Sequence, residues 1–156
     1  MLTFYMVCGP SGSGKSTLAR HICQEHTDTI CISTDGIREE LFGDENIQRN
    51  GDKVFKIAYE CIIDNLREGL NVVFDATNLY AKDRRKILNI AKAAGAACTV
   101  CYAFRGNCET CMVHQKSRIR QVPREVVERQ CAKYQLPSEN EGWDMVVPFY
   151  DNLIFL

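Results

Sequence analysis

Short apolar runs alternate with longer stretches in which apolar positions recur every three to four residues, from one end of the chain to the other. The short runs read as buried strands and the longer stretches as amphipathic helices, and their alternation is the pattern of a parallel α/β sheet. The predicted strands are Thr3–Cys8, Thr29–Ser33, Asn71–Asp75, Ala97–Phe104 and Asn152–Leu156, each flanked by Gly, Asp or Asn. Helices fill the intervals. The first is expected from Gly14 to about His26, and the second opens near Asp35. A third, about Lys53–Glu68, places Val54, Ile57, Ala58, Cys61, Ile62 and Leu66 on one face and stops at Gly69. A fourth covers about Ala81–Ala94 and is closed by Gly95. Beyond Arg105 the pattern turns polar, with helices near Cys108–Lys116 and Pro123–Tyr134 on either side of a basic stretch, Lys116–Arg124.

Length and charge narrow the class. A chain of 156 residues is expected to form one domain spanning 1–156, since domains run to roughly 100–200 residues. The longest nearly apolar run, Ala93–Phe104, falls short of the ~18 residues of a membrane span, so no membrane partner is expected. Nineteen Lys and Arg against twenty Asp and Glu leave a net charge of −1, which lacks the overall basic footprint of a non-specific nucleic-acid binder and leaves room only for a local patch. The first residues, Met1 to Cys8, carry no basic segment and read as a strand, not a signal peptide. Most of the nine cysteines sit in apolar, periodic surroundings where reduced thiols behave as small hydrophobes. A reducing, cytoplasmic location is the expectation.

Four motifs carry chemistry. Gly9-Pro-Ser-Gly-Ser-Gly14-Lys15-Ser16-Thr17 matches G-x-x-x-x-G-K-[ST] between a strand and an amphipathic helix. Gly9, Ser11, Gly12, Ser13, Gly14 and Thr17 form the cradle; Lys15 reaches the β and γ phosphates, and Ser16 supplies a hydroxyl for Mg²⁺. Ser33-Thr-Asp35-Gly-Ile-Arg38 follows the second strand, at the end of the sheet where ligands bind. There Asp35 can take the proton of an attacking hydroxyl and Arg38 can bind an anion on the acceptor. The competing reading has Asp35 as a helix cap and Arg38 on a solvated face. Val72-Val-Phe-Asp75-Ala-Thr-Asn78 resembles a strand ending in a Mg²⁺-holding acid, although a terminal Asp also caps turns. The segment Lys116–Arg124, within a stretch of about 112–124, fits an arginine-bearing lid or a plain solvated face.

Cys98, Cys101, Cys108 and Cys111 form two C-x-x-C pairs with the formal spacing of a Zn site. Cys98 and Cys101 lie in a strand, where residues three apart face opposite ways, so buried thiols are favoured over a metal.

With these blocks in hand the chain resembles the 5′-hydroxyl polynucleotide kinase branch of the P-loop kinases, the kinase-domain type found in bacteriophage. The resemblance rests on Gly9–Thr17, Ser33–Arg38, Asp75-Ala-Thr-Asn78-Leu with Arg84-Arg85, Arg118-Ile-Arg120-Gln-Val-Pro123, and Leu136-Pro137 through Glu141-Gly-Trp143-Asp144. It implies that Lys15 and Ser16 bind phosphates and Mg²⁺, that Asp35 is the general base, and that Arg38 grips the acceptor's adjacent phosphate. It also implies that Arg118 and Arg120 are the lid arginines, with Arg118 on the donor nucleotide, and that Asp75 orients the site or a metal-bound water. His114 and Gln115 stand where many relatives carry Arg-Asn, and Gly36 stands where many carry a second acid.

The expected fold is therefore a P-loop kinase: a five-stranded parallel sheet, order 2-3-1-4-5, flanked by helices and carrying a lid. The expected activity is transfer of the γ-phosphoryl group of ATP, with Mg²⁺, to a hydroxyl, foremost the 5′-OH of DNA or RNA. Two alternatives are a kinase for a nucleoside, sugar or antibiotic, and a non-catalytic nucleotide-binding module. Any 3′-end processing would be absent or lie on another chain, and a ligase or separate phosphatase is the expected functional neighbour.

Overall fold

The first strand, β1 (Thr3–Cys8), lies at the centre of the sheet, because it is apolar on both faces and only a middle strand buries both. It pairs in parallel with β3 (Asn71–Asp75) on one side and β4 (Cys98–Phe104) on the other. The edges are β2 (Thr29–Ser33) beside β3 and β5 (Met145–Phe149) beside β4. The order is β2-β3-β1-β4-β5, an α/β fold with the expected sheet. This description, from a computed structural model, covers residues 1–44, 51–118 and 121–149.

The fifth strand lies where the sequence reading placed none. It forms at Met145–Phe149, whereas the predicted Asn152–Leu156 lies outside the described residues. Pro148 within β5 is compatible with an edge strand, where one backbone N–H is not needed for the ladder. The entry to β5 is fixed by Asp144, whose carboxylate accepts from the Thr99 backbone N–H at 2.8 Å and the Thr99 hydroxyl at 3.0 Å.

Among the described residues six helices cover the sheet: α1 (Lys15–Glu25), α2 (Thr34–Phe42), α3 (Gly51–Arg67), α4 (Ala81–Ala93), α5 (Cys108–Gln115) and α6 (Arg124–Lys133), with a short 3-10 turn at Glu139–Glu141. Alternate residues of β1 feed two cores. Phe4, Met6 and Cys8 join Val54, Ile62 and Leu66 of α3 and Ile87 and Leu88 of α4. Val7 joins Leu18, Ala19 and Ile22 of α1 on the other face. This two-sided burial explains why the strands read as continuous apolar runs.

Register places the functional end. Asp75 pairs with Val7 on one side and with Ser33 on the other, so β1, β3 and β2 finish level. The loop after β1, the start of α2 and the carboxylate of Asp75 thus meet at one edge, outside the carboxyl ends of the strands. Among the described residues no helix is long and apolar enough to cross a membrane.

Candidate active site

The loop after β1 is held open by its glycines. Gly9, Gly12 and Gly14 take φ of 150°, 84° and 104°, the left-handed region that only glycine enters without strain. A Cβ on Gly12 would collide with the carbonyl of Cys111 in α5, and one on Gly9 would lie 2.9 Å from both Phe104 Cβ and Ser13 Oγ. The loop is pinned from below by a 2.9 Å bond from the Gly9 N–H to the Thr77 carbonyl. At its end α1 begins on Gly14 with no side-chain cap, leaving first-turn N–H groups for an anion. Ser13 Oγ is buried and has no hydrogen-bond partner. An uncapped helix start, a glycine cradle and an orphaned hydroxyl fit a polyphosphate.

Lys15 and Asp75 are both buried, at 8% exposure each. The Lys15 ammonium donates to the Pro10 carbonyl at 2.8 Å across the loop. Burial pulls its pKa below the usual lysine value, partly offset by the Asp75, Cys111 and Asp35 charges and reinforced by Arg118. Ser16 Oγ donates to Asp75 Oδ2 at 2.8 Å. The hydroxyl and carboxylate expected to hold Mg²⁺ therefore lie side by side, an oxygen donor set suited to that hard cation. Among the described residues no group of three or more His, Cys, Asp or Glu is arranged to hold a metal by itself.

Across the cleft, α2 is capped by Ser33, whose Oγ accepts from the Gly36 N–H at 3.3 Å. Capping therefore does not fall to Asp35. Asp35 lies in the first turn of α2, its side chain half exposed, 3.2 Å from the Arg38 guanidinium. Arg38 Nε is buried with no partner. Both side chains line a cleft of about 1250 Å³ together with the whole of Ser11–Thr17 and Asp75.

The third wall comes from α5 and α6. Arg118, exposed, lines the cleft; Arg120 lies outside the described residues. His114 and Gln115 have contacts of their own. His114 Nδ1 is 3.1 Å from the Gly12 carbonyl, and the buried Gln115 side chain clasps both the N–H and the carbonyl of Val122, at 3.0 and 2.8 Å. From α6, Gln130 accepts from the Ser11 N–H at 2.8 Å, and Tyr134 just beyond the helix donates to the Cys8 carbonyl at 3.3 Å. Gln130 and Tyr134 carried no sequence signal, since each reaches the loop across more than a hundred residues of chain.

Behind the site lies a buried network. Arg84, with no exposed surface, bonds Glu141 through two nitrogens at 2.6 and 3.0 Å and donates to the Asn78 carbonyl at 2.7 Å. Burial disfavours the Arg84 cation, but the bonds and charge of Glu141, with smaller contributions from Cys8 and Cys101, together hold its pKa above the usual value. Asn78, at φ 48°, donates to the Val7 and Ala76 carbonyls, and Trp143 Nε1 donates to Glu141 at 3.0 Å. These contacts brace the turn that follows Asp75. The cysteines of the two C-x-x-C pairs part company: Cys101 is buried with its sulfur 3.4 Å from Cys8, while Cys98 is half-buried.

Residues 4–137 match the family described as AAA domain, the greater part of the chain. The chain belongs to the AAA domain family. Within it, the strand order and the flanking helices are those of a P-loop kinase fold. The L-seryl-tRNA(Sec) kinase of Methanococcus maripaludis is 25% identical to this AAA-domain chain over 153 residues, 90% of the chain and 55% of that enzyme. The chain thus spans about half the length of that relative. A solved chain in the Pnkp1/Rnl/Hen1 RNA repair complex superposes with a TM-score of 0.74 at 19% identity, covering 85% of this chain and 43% of that one. A gluconokinase from Sinorhizobium meliloti 1021 superposes at 0.65 with 19% identity, covering 97% and 84%. At such identities the superpositions establish shared fold.

Proposed function

We propose that this chain is a phosphotransferase that moves the γ-phosphoryl group of ATP to a hydroxyl, and that its acceptor is the 5′-OH end of a DNA or RNA strand. The observation that carries the reading is the Asp35–Arg38 pair facing the glycine loop across one cleft, with Arg38 Nε buried and unpartnered. A module that only binds nucleotide needs no carboxylate and guanidinium on the acceptor side.

The loop amides, Ser13 and Lys15 would hold the phosphates, and Ser16 with Asp75 would hold Mg²⁺. Bound ATP and Mg²⁺ supply the transferable group and neutralise its oxygens. Asp35, half exposed and held by Arg38, takes the proton from the attacking hydroxyl. Arg38 holds the phosphate next to that hydroxyl, while Arg118 closes over the donor and excludes water. These roles are positioning and electrostatics, which is most of what phosphoryl transfer asks of a protein. The likeness to a chain of an RNA repair complex supports an end-repair setting, in which a strand-joining step consumes the 5′-phosphate.

The gluconokinase neighbour, nearly matched in length, favours a second reading with a small acceptor. Transfer of label from γ-labelled ATP to 5′-OH DNA and RNA oligonucleotides, beside nucleosides and sugars, separates the two. Labelled oligonucleotide is the expected result, with Arg38→Ala raising the acceptor KM more than it lowers kcat. Label on small acceptors alone overturns the polynucleotide reading.

A further inference from the structure

The acceptor side of the cleft continues into a strip of aromatic and basic side chains that the phosphate site does not use. Phe55, in the first half of α3, lines the cleft with Asp35 and Arg38. One turn along α3, Tyr59 has its ring centroid 6.1 Å from that of Phe55, with the planes tilted by 48°. Lys86 of α4 places its ammonium 5.1 Å from the centre of the Tyr59 ring. Both rings are half-buried, packed against the core while part of each stays accessible.

The strip leads onto a basic face. Lys82, Arg85 and Lys86 are exposed on the first turns of α4, and none is in an ion pair among the described residues. Asp83 is the only acid of α4, and its charge, after burial, pushes the Tyr59 phenol up. On a chain of net charge −1 this is a local concentration of cations beside accessible rings.

We propose that Phe55, Tyr59, Lys82, Arg85 and Lys86 form a track for single-stranded nucleic acid that delivers its 5′ end to Asp35. The inference rests on the polynucleotide reading and extends it to where the strand lies. Rings offered to unstacked bases beside cations offered to the backbone are the two parts of a sequence-tolerant single-strand site. A duplex keeps its bases stacked and would leave the rings unused, as would an acidic peptide. A compact small acceptor would need only the cleft.

The test is binding of fluorescently labelled 5′-OH single-stranded DNA and RNA, as dinucleotides and as longer oligonucleotides, followed by anisotropy across a salt series. The triple variant Lys82→Glu/Arg85→Glu/Lys86→Glu changes only exposed side chains. It should weaken the longer oligonucleotides by about tenfold or more at low salt, and flatten the salt slope by about 2, from ~0.7 per phosphate contact. The dinucleotides, too short to reach α4, should be little affected. Tyr59→Leu keeps an apolar side chain against the core and removes the ring face, and should weaken the longer strands without changing the slope. If the unaltered protein phosphorylates oligonucleotides but the triple variant binds them equally well, the track is wrong and the polynucleotide reading stands. If the unaltered protein neither binds nor phosphorylates any oligonucleotide, both fall.

Discussion

Ser16 Oγ donates a 2.8 Å hydrogen bond to Asp75 Oδ2, joining the first turn of α1 to the end of β3. The bond exists because parallel pairing of β1 with β3 sets Asp75 level with Val7, two residues before the glycine loop. It holds the Ser16 hydroxyl against the carboxylate, and we propose that Asp75 would act on a bound Mg²⁺ through Ser16 or beside it.

Asp75→Ala is therefore expected to raise the Mg²⁺ concentration for half-maximal transfer by about 10–100-fold, the usual cost of losing a residue that orients a metal ligand. A Mg²⁺ titration of the variant checks it. An unchanged half-maximal concentration would mean that Asp75 only braces the loop.

Lys15 predicts a pH signature. Burial holds its folded pKa below the ordinary lysine value, so between the lowered value and the ordinary one the unfolded chain binds more protons at this site than the folded chain. Stability from this group rises with pH through that window, and below it both states are charged and the burial cost is fully present. Lys15→Met should lose that alkaline gain: between neutral and alkaline pH, the urea midpoint of the unaltered protein should gain on that of the variant. The same variant should lose the rise in Tm that ATP confers. Parallel midpoints at all pH values would show that Lys15 titrates normally.

Arg84 and Glu141 predict a stability coupling. With side chains 0% and 2% exposed, removal of one partner leaves the other charged and buried. Glu141→Leu or Arg84→Met should cost about 3–5 kcal/mol. The double variant Arg84→Met/Glu141→Leu should cost clearly less than the two single losses added. Urea unfolding of the four proteins measures the coupling, and simple additivity would refute it.

The parts of this molecule that were legible in sequence are those written locally. The glycine loop, the Lys15–Thr17 helix start and the Asp35–Arg38 spacing are short-range chemistry, and four strands and the six helices of the described residues follow from apolar patterning together with local start and stop residues. Ser33 as the cap of α2 is equally local, yet the sequence reading had offered that role to Asp35, because both residue types cap helices. What the sequence concealed lies in distant pairs. Arg84 and Glu141 stand 57 residues apart, and Ser11 and Gln130 stand 119 apart. A polar residue that a buried partner will satisfy looks like a surface residue until the fold joins the two. The strand Met145–Phe149 escaped the sequence reading because it contains Pro148 and buries only Phe149 fully, so its apolar pattern is weak.

The central claim is that Asp35 accepts the proton in a phosphoryl transfer that this cleft catalyses. The most direct measurement is single-turnover transfer from γ-labelled ATP to a 5′-OH oligonucleotide by the unaltered protein and by Asp35→Asn, with ATP affinity determined on both. The account predicts ATP affinity within about twofold and a transfer rate lower by about 10²–10⁴-fold in the variant, the scale of general-base catalysis. Transfer by Asp35→Asn at the unaltered rate would contradict it.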